Sequence, residues 1–259
     1  MVNQTIKKFL RILSVFSVAI LPVLLASLGY AQGKYEQPIA TPLVMLAALS
    51  GLALVPIVLV MGTSFIKITV VLSIVRNALG TQQIPPNQVI TGLALILTVY
   101  IMVPVGLEVK KVTEDLAKQR SNQGLLSEAS LGILLEAVDK GKEPFRQFLT
   151  RHTHPKKKAV FHELALKLRK PEDRAGLTNQ DFTVLVPAFI ISELSEAFYI
   201  GFVIFLPFLV IDMVVANILL SLGMFQLSPI TVSLPFKLLL FVLVDGWQLV
   251  VSGLITGYL

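Results

Sequence analysis

The ionisable side chains of this 259-residue chain that point to function lie in two stretches, Val184–Met224 and Ser233–Leu259, which are otherwise almost continuously apolar. These residues are Glu193, Glu196, Asp212, Lys237 and Asp245. A charged group at the centre of a bilayer costs roughly 2.5–3.5 kcal/mol on insertion scales, so it persists where it faces a partner helix, another subunit or water. We therefore expect these residues, with Asn217, to form joints between helices or subunits, or to line a conduit.

The spacing of four charged residues predicts where their side chains point. Glu193 and Glu196 are three residues apart, which places both on one face of a helix, towards a neighbour or a lumen. Lys67 and Arg76 are nine residues apart, so they lie on nearly opposite sides of an ideal helix. We therefore expect Lys67 and Arg76 to have separate partners or to snorkel to water.

Two interpretations remain open for Asp212, Lys237 and Asp245. The first is structural pairing between neighbouring helices, which removes the cost of isolated charges in an apolar setting. The second is an element that couples proton movement to transport.

The chain lacks the residue patterns of an intramembrane enzyme. Its three histidines, His152, His154 and His162, all lie in a polar region, and the apolar segments that contain Ser64 and Ser192 have none. The H-E-x-x-H, G-x-S-x-G and glycine-rich phosphate-binding patterns are absent from the sequence. We expect no catalytic residue, no metal site and no cofactor. His152-Thr153-His154 could bind a metal, but a solvated loop is the interpretation that we favour.

The composition predicts an all-α integral membrane protein. Hydrophobic residues make up 54% and charged residues 15% of the chain, and the mean hydropathy is +0.77. A typical soluble domain has 45–50% apolar and about 25% charged residues. The net charge of +6 arises mostly in one polar segment, where residues 108–184 contain 15 Lys or Arg and 11 Asp or Glu. Without an interleaved aromatic face, this charge does not indicate nucleic-acid binding. The absence of cysteine excludes disulfides within the chain.

Residues 1–31 resemble a signal peptide. Lys7, Lys8 and Arg11 precede the apolar run Ile12–Leu28, and small residues follow at positions 29 and 31. This order of basic, apolar and small residues predicts cleavage near Ala31. The alternative is an uncleaved first hydrophobic helix, which would be at the short end for a membrane span.

Residues 42–107 are predicted to form a first helical hairpin. Pro42–Ile66 is apolar and long enough to span a bilayer. Gly80–Gln88 is expected to be a tight turn, because glycine ends helices and the Pro85-Pro86 pair cannot continue one. Val89–Leu107 is expected to be the second span, loosened at Pro104.

Residues 108–183 are predicted to form a polar, helical insert outside the membrane. Leu125–Val138 and Phe161–Leu168 have apolar residues at helical spacing. Lys156–Lys158 follow Pro155 and are expected to lie in a solvated loop. If the signal peptide is cleaved, the insert is on the periplasmic side after one in-and-out hairpin.

Residues 184–259 are predicted to form a second hydrophobic helical region. Val184–Met224 is too long for one perpendicular span, so we expect a hairpin or a re-entrant piece with a break at Pro207. Residues 222–235 are expected to be a loop. Phe236–Tyr258 is expected to be a final helix interrupted at Asp245-Gly246.

Several sequence strings resemble one known family over nearly the whole chain from about residue 43, apart from most of the polar insert. They are MGTSFIK (61–67), VVLSIVRNALG (70–80), PPNQ (85–88), PAF (187–189), SEL (192–194), AF (197–198), IGF (200–202), LPFLVID (206–212), SLPFK (233–237) and LFVLVDGW (240–247). On these residues the chain is similar to the FliP/SctR family, the major membrane subunit of the type III secretion export gate.

The resemblance implies an assembly rather than an enzyme. Family members form a homo-oligomer, a pentamer, in which helical hairpins build a closed, tapering complex around a central path for unfolded substrates. The implied partners are two smaller membrane subunits (SctS/FliQ-like and SctT/FliR-like), a SctU/FlhB-like switch protein and the secreted substrates, in the bacterial inner membrane within the basal body. A secondary transporter subunit, which would show internal repeats, and a scaffold without a conduit are the alternatives.

The branch of the family is indicated by conflicting features. The strings QQIPPN (82–87) and SPITVSLP (228–235) resemble the injectisome branch, SctR, which we favour. A signal peptide is more typical of the flagellar branch, FliP.

The resemblance also implies a gate loop that obstructs the path at rest. Family members often have a run of methionines in the loop that follows the helix containing the string LPFLVID. Here the loop contains Gly223, Met224, Phe225 and Gln226, so only Met224 keeps the pattern. Met224 and Phe225 are bulky and apolar and are expected to form a deformable plug.

Overall fold

The structure is a computed structural model, and it describes residues 53, 60–81, 84–118, 128–174 and 176–259. Within these ranges all regular elements are helices and there is no strand, which confirms the predicted all-α class. The predicted signal peptide and most of Pro42–Ile66 lie outside the described residues.

Helix α1 spans Phe65–Ala78 and ends as the sequence predicts. Gly80 has a φ of +71°, a conformation that glycine adopts without strain. Its amide donates to the carbonyl of Asn77 and closes the last turn. The next helix begins only at Asn87, after Pro85-Pro86, so the predicted tight turn is present.

Helix α2 spans Asn87–Lys118 and contains Pro104 without a break. The expected end of this helix at Leu107 is wrong, because its helical backbone continues eleven residues into the region predicted as the polar insert. Helix α3 spans Glu128–His152 and packs along α2. The insert therefore begins as an extension of a spanning helix.

Helix α4 spans Pro155–Leu168, so the expected loop at Lys156–Lys158 is wrong. Pro155 occupies the first helical position, where its missing N–H costs nothing. The Nδ1 atom of His154 accepts a hydrogen bond from the Lys156 amide at 3.3 Å and caps the helix. A short 3₁₀ turn at Pro171–Asp173 follows.

Helix α5 spans Phe182–Ser221 as one 40-residue element. The predicted hairpin or re-entrant piece with a break at Pro207 is therefore wrong. Pro187 and Pro207 both lie inside the helix, and prolines are tolerated in apolar helices when neighbouring groups satisfy the freed carbonyls. The helix ends in a Schellman motif, in which the Met224 amide donates to Leu219 O at 2.9 Å and Gly223 has a φ of +71°.

Helix α6 spans Pro229–Leu243 and helix α7 spans Gly246–Thr256. The predicted loop at 222–235 is thus wrong for its second half, since α6 already begins at Pro229. The predicted interruption at Asp245 is present: Asp245 has a φ of +50°, and the axes of α6 and α7 differ by 59°.

The described residues contain two helical segments that are long and apolar enough to cross a membrane, Asn87–Thr113 and Phe182–Ser221. The bent pair α6 and α7 qualifies as a third if it is counted as one span. One buried apolar cluster joins α1 to α2, α5, α6 and α7, with Val71 and Leu72 at its centre. A second cluster, around Leu149 and Phe189, joins the end of α3 to α5.

Candidate functional site

The first candidate site is a group of polar residues around Lys67 of α1. We name it the Lys67 cluster: Lys67, Glu193, Glu196 and Tyr258. Its Nζ atom is 3.0 Å from Glu193 Oε1 and 3.0 Å from Glu196 Oε2. The side chains of Lys67 and Glu193 are 2% and 0% exposed, whereas Glu196 is 47% exposed. The two carboxylates lie on one face of α5, and α1 supplies the cation that they share.

Tyr258 closes the Lys67 cluster from the C-terminal side of α7. Its hydroxyl donates a hydrogen bond to Glu193 Oε2, and its ring lies 4.3 Å from Lys67 Nζ in a cation–π contact. The ring also stacks on Phe148 of α3, with centroids 6.2 Å apart. The sequence analysis did not single out Tyr258. The spacing of Val250, Leu254 and Tyr258, all buried, indicates an inward face and was the available signal.

His152, the last residue of α3, packs against the same aromatic group. Its ring centroid is 4.9 Å from Tyr258 and 4.7 Å from Phe148. Burial, and then the nearby charges of Lys67 and Arg151, lower the pKa of His152 to about 4. The imidazole is therefore neutral at physiological pH and serves as an aromatic packing element.

A second buried lysine joins α5 to α6, and we name this group the Lys237 cluster: Lys237, Asp212 and Ser233. Lys237 Nζ is 2.6 Å from Asp212 Oδ2, and Ser233 Oγ donates to Asp212 Oδ1 at 2.5 Å. Lys237 is buried, whereas the Asp212 side chain is 26% exposed. The α1–α2 turn backs this cluster, because a Cβ atom on Gly80 would lie 3.7 Å from Lys237 Nζ.

The α5–α6 loop, Leu222–Ser228, connects the two helices that the Lys237 cluster joins. Met224 is 46% and Phe225 76% exposed, and Gln226 is exposed as well. A Cβ atom on Gly223 would meet nothing within 4 Å. The side chains that we expect in the gate loop are therefore not covered by other described residues of this chain, and they can contact another subunit.

The remaining predicted site residues are not part of either cluster. Arg76 donates to Asn87 Oδ1 at 2.5 Å and to Pro85 O at 3.4 Å, across the α1–α2 turn. Lys67 and Arg76 thus have separate partners. Asp245 and Asn217 are exposed, and among the described residues neither has a side-chain hydrogen bond or ion pair.

The described residues place no nucleophile against a histidine ring. Ser192 Oγ donates to Ala188 O at 2.7 Å and accepts from the backbone amide of His154 at 3.0 Å. No group of three or more metal-ligating side chains occurs among the residues that the structure describes. The buried lysines within the apolar helices, Lys67 and Lys237, are instead paired with carboxylates of a neighbouring helix.

This geometry defines a class: a membrane-embedded helical protein in which two buried lysines, Lys67 and Lys237, form ion pairs between apolar helices, while large apolar faces are left uncovered. The chain matches the profile of the FliP family over residues 48–254. It belongs to that family, as the sequence strings predicted.

The curated relatives come from both branches of the family. The chain is 47% identical over 214 residues to the flagellar biosynthetic protein FliP of Bacillus subtilis, covering 83% of this chain and 90% of the relative. It is 44% identical over 214 residues to the Yop proteins translocation protein R of Yersinia pestis, covering 83% and 95%. It is 43% identical over 209 residues to the hypersensitivity response secretion protein HrcR of Ralstonia nicotianae, covering 80% and 93%.

Proposed function

We propose that the chain is a core subunit of a type III secretion export gate, which conducts unfolded proteins across the bacterial inner membrane. Membership of the FliP family carries this proposal, and relatives named for secretion, translocation and flagellar biosynthesis support it. The role is structural and conductive rather than enzymatic.

The exposed faces of the spanning helices support an assembly. Large apolar residues such as Phe198, Phe202 and Val210 on α5 are 57–58% exposed, and Val242 on α6 is 73% exposed. Apolar patches of this extent are covered by lipid or by partner chains. We propose that further copies of this chain, as a pentamer, and the two smaller export-apparatus subunits cover part of them, and that a SctU/FlhB-like switch protein joins the complex.

The test is deletion of the gene in its own host, followed by analysis of the culture medium. Loss of secreted effector or needle proteins with normal motility supports the injectisome branch, which we favour. Loss of motility with normal effector secretion supports the flagellar branch. Normal secretion and normal motility would contradict the proposal.

We propose that the insert between α2 and α5 is periplasmic. The chain has no cysteine, so a single introduced thiol can be labelled without background. Lys170 is exposed at the end of α4, and Lys170→Cys should react with an impermeant maleimide in spheroplasts. Labelling only after the inner membrane is opened would place the insert in the cytoplasm. Sequencing of the mature N-terminus in the same preparation tests cleavage near Ala31.

We further propose that the α5–α6 loop obstructs the conduit. Copies of Met224 and Phe225 would meet around the axis and close a narrow gap by apolar contact. Replacing Met224-Phe225-Gln226 by three glycines should raise ion leakage across the inner membrane while the complex still assembles. Unchanged permeability in assembled mutant complexes would contradict this role.

A further inference from the structure

The apolar helices contain two opposite charges, those of Arg76 and Asp245, that have no counter-ion within the described part of the chain. Residues 60–107 and 182–259 together carry three cations and four carboxylates, which are Lys67, Arg76, Lys237, Glu193, Glu196, Asp212 and Asp245. Lys67 is shared by the two glutamates, and Lys237 is bound to Asp212. Arg76 and Asp245 therefore remain after the buried lysines have been paired.

Arg76 keeps its positive charge beside the α1–α2 turn. Among the described residues its hydrogen bonds both come from Nη1, and the acceptors, Asn87 Oδ1 and Pro85 O, are neutral. A guanidinium has five donors, so the edge formed by Nε and Nη2 remains for a bidentate carboxylate. Arg76 is half-buried and lines an open pocket of about 780 Å³, whose described lining contains no acidic residue. Residues 37–107 contain none either, so this hairpin does not supply the counter-ion.

Asp245 keeps its negative charge at the bend between α6 and α7. It occupies the N-cap position of α7 but makes no side-chain hydrogen bond there, although aspartate at an N-cap commonly does. It is exposed, and the preceding residues, Val242–Val244, are apolar and 51–74% exposed. A charged group in an apolar surface of a membrane protein is retained where a partner supplies the opposite charge.

Arg76 lies at the level of Val203 on α5. Lys67 contacts Glu193 and Glu196, and further along both helices a Cβ atom on Gly201 would clash with Ile74. Helices α1 and α5 therefore run in the same direction. Arg76 is two residues beyond Ile74, so its level is about two residues beyond Gly201.

Asp245 lies at nearly the same level on α5. Helices α5 and α6 are antiparallel, because Asp212 contacts Lys237 and Phe208 contacts Phe241 with ring centroids 6.4 Å apart. Asp245 is four residues beyond Phe241, so it corresponds to a position four residues before Phe208, which is Ile204. A helical residue rises about 1.5 Å, so the levels of Arg76 and Asp245 differ by only about one residue.

Equal depth is the condition for pairing between copies in a ring. Arg76 is bonded to the start of α2, which packs against α1, whereas Asp245 follows α6, which packs against α5. Copies in one membrane have the same orientation, and rotation about an axis along the membrane normal keeps every residue at its depth. Each copy then contacts the next through two different surfaces, and charges at one depth meet.

We propose that Arg76 of one copy binds Asp245 of the next copy and that this ion pair joins neighbouring subunits of the ring. Glu196 is also exposed in part, but it lies at the level of Lys67, which is about 13 Å from Arg76 along the helix. Asp212 is already bound by Lys237 and Ser233. This joint deepens the proposed assembly of several copies and rests on it.

The experiment measures association between two differently tagged copies of the full chain, co-expressed with any subunits that purify with them. Capture through one tag is quantified by detection of the other. Arg76→Glu in both copies, or Asp245→Lys in both copies, places like charges together. Each change should weaken the association at least about 30-fold.

The decisive combination is an Arg76→Glu copy expressed with an Asp245→Lys copy. At one junction the introduced glutamate faces the introduced lysine, and at the next the native arginine faces the native aspartate. Capture of one variant by the other should therefore recover most of the association that each variant loses alone. An ion pair within one chain predicts no recovery, because every copy still has one altered residue. Absence of recovery would overturn the proposed joint.

The matched control for a structural role of Arg76 is Asn87→Ala. It removes the hydrogen bond across the α1–α2 turn and keeps both charges, so association should stay within about twofold of the unaltered protein. Arg76→Lys should retain more association than Arg76→Gln, because it keeps the charge. A loss in Asn87→Ala as large as that in Arg76→Gln would mean that Arg76 acts through the turn, and would overturn the joint.

Asp245→Asn tests the pair without disturbing the turn. Asparagine has the same shape and is tolerated at the positive φ of this position, so the thermal stability of the subunit should be unchanged while association falls. Unchanged association in this variant would overturn the joint but leave the proposed assembly standing. If the unaltered copies do not capture each other, both the assembly and the joint fail. Loss of another subunit while the copies stay associated would assign Arg76 to that subunit and also overturn the joint.

Discussion

The two buried lysines, Lys67 and Lys237, are both paired with carboxylates, but they differ in the number and the origin of their partners. Lys67 is bound by two carboxylates from α5 and covered by a tyrosine from the end of the chain, so it joins elements far apart in sequence. Lys237 is bound by one carboxylate, that of Asp212, whose other oxygen accepts a hydrogen bond from Ser233, within a hairpin of neighbouring helices. Glu193 is fully buried, whereas Asp212 is 26% exposed. The comparison indicates that the Lys67 cluster holds the subunit together, while the Lys237 cluster fixes the hairpin that carries the α5–α6 loop.

The largest effect is expected from Lys67→Met. The change leaves the buried Glu193 carboxylate without its cation, and breaking a buried pair in this way costs about 3–5 kcal/mol. The thermal unfolding of the purified protein in detergent should show a large loss of stability. The control is Lys67→Met/Glu193→Gln, which removes both charges and should recover most of the loss. No recovery would mean that Lys67 acts through packing alone.

A smaller effect is expected from Lys237→Met, because water reaches part of the Asp212 carboxylate that it leaves behind. We expect a loss of about 1–3 kcal/mol in the same assay. Native gels of membrane extracts should show a greater loss of the oligomer than of the folded subunit. A loss of subunit stability as large as that of Lys67→Met would remove the distinction between the clusters.

Tyr258→Phe should destabilise by about 1.5 kcal/mol, since it removes one hydrogen bond to a charged group and keeps the ring. The stacked contact with Phe148 and the position of the ring near Lys67 are retained. Tyr258→Ala is the comparison variant and should cost more, because it also leaves a cavity. Equal effects of the two variants would show that the hydroxyl is the only contribution of Tyr258.

The smallest expected effect is a pH dependence of local stability, limited to the region around the Lys67 cluster. His152 has its pKa lowered to about 4 in the folded state, against about 6.5 in an unfolded chain. Below pH 6.5 the unfolded state binds a proton that the folded state does not, so stability should fall between pH 6.5 and pH 4. The hydrogen-exchange protection factors at the end of α3, which are taken relative to the intrinsic exchange rate at each pH, should fall over this range. His152→Phe should remove this fall, and the protection factors in α6 should not follow it.

The sequence predicted the class and several helix ends, because these depend on local signals. Gly80 and Pro85-Pro86 determine the first turn, and Asp245-Gly246 interrupts the last helix. The hairpin expected at Pro207 was wrong, because length and a proline do not determine whether a helix in an apolar setting bends. The start of α6 at Pro229 was missed, although proline favours the first turn of a helix.

The partners of the buried charges were harder to predict, because they depend on which faces meet. Helical spacing placed Glu193 and Glu196 on one face, but no local pattern pairs them with Lys67. Tyr258 was missed for the same reason, since its partner Glu193 is 65 residues away in sequence. Asp212 and Lys237 were considered as an interhelical pair, and the structure brings them together across α5 and α6.

The distance along the sequence between each buried lysine and its carboxylate partner also determines which of the two is synthesised first and how long it waits for the other. Lys237 is made 25 residues after Asp212, so its counter-ion already exists when it leaves the ribosome. Lys67 precedes Glu196 by 129 residues, which at bacterial elongation rates is a wait of roughly 6–26 s. During that interval its ammonium group has to remain hydrated, so α1 can close against α5 only late in biosynthesis. The contact between α1 and α5 therefore cannot form until most of the chain has been translated.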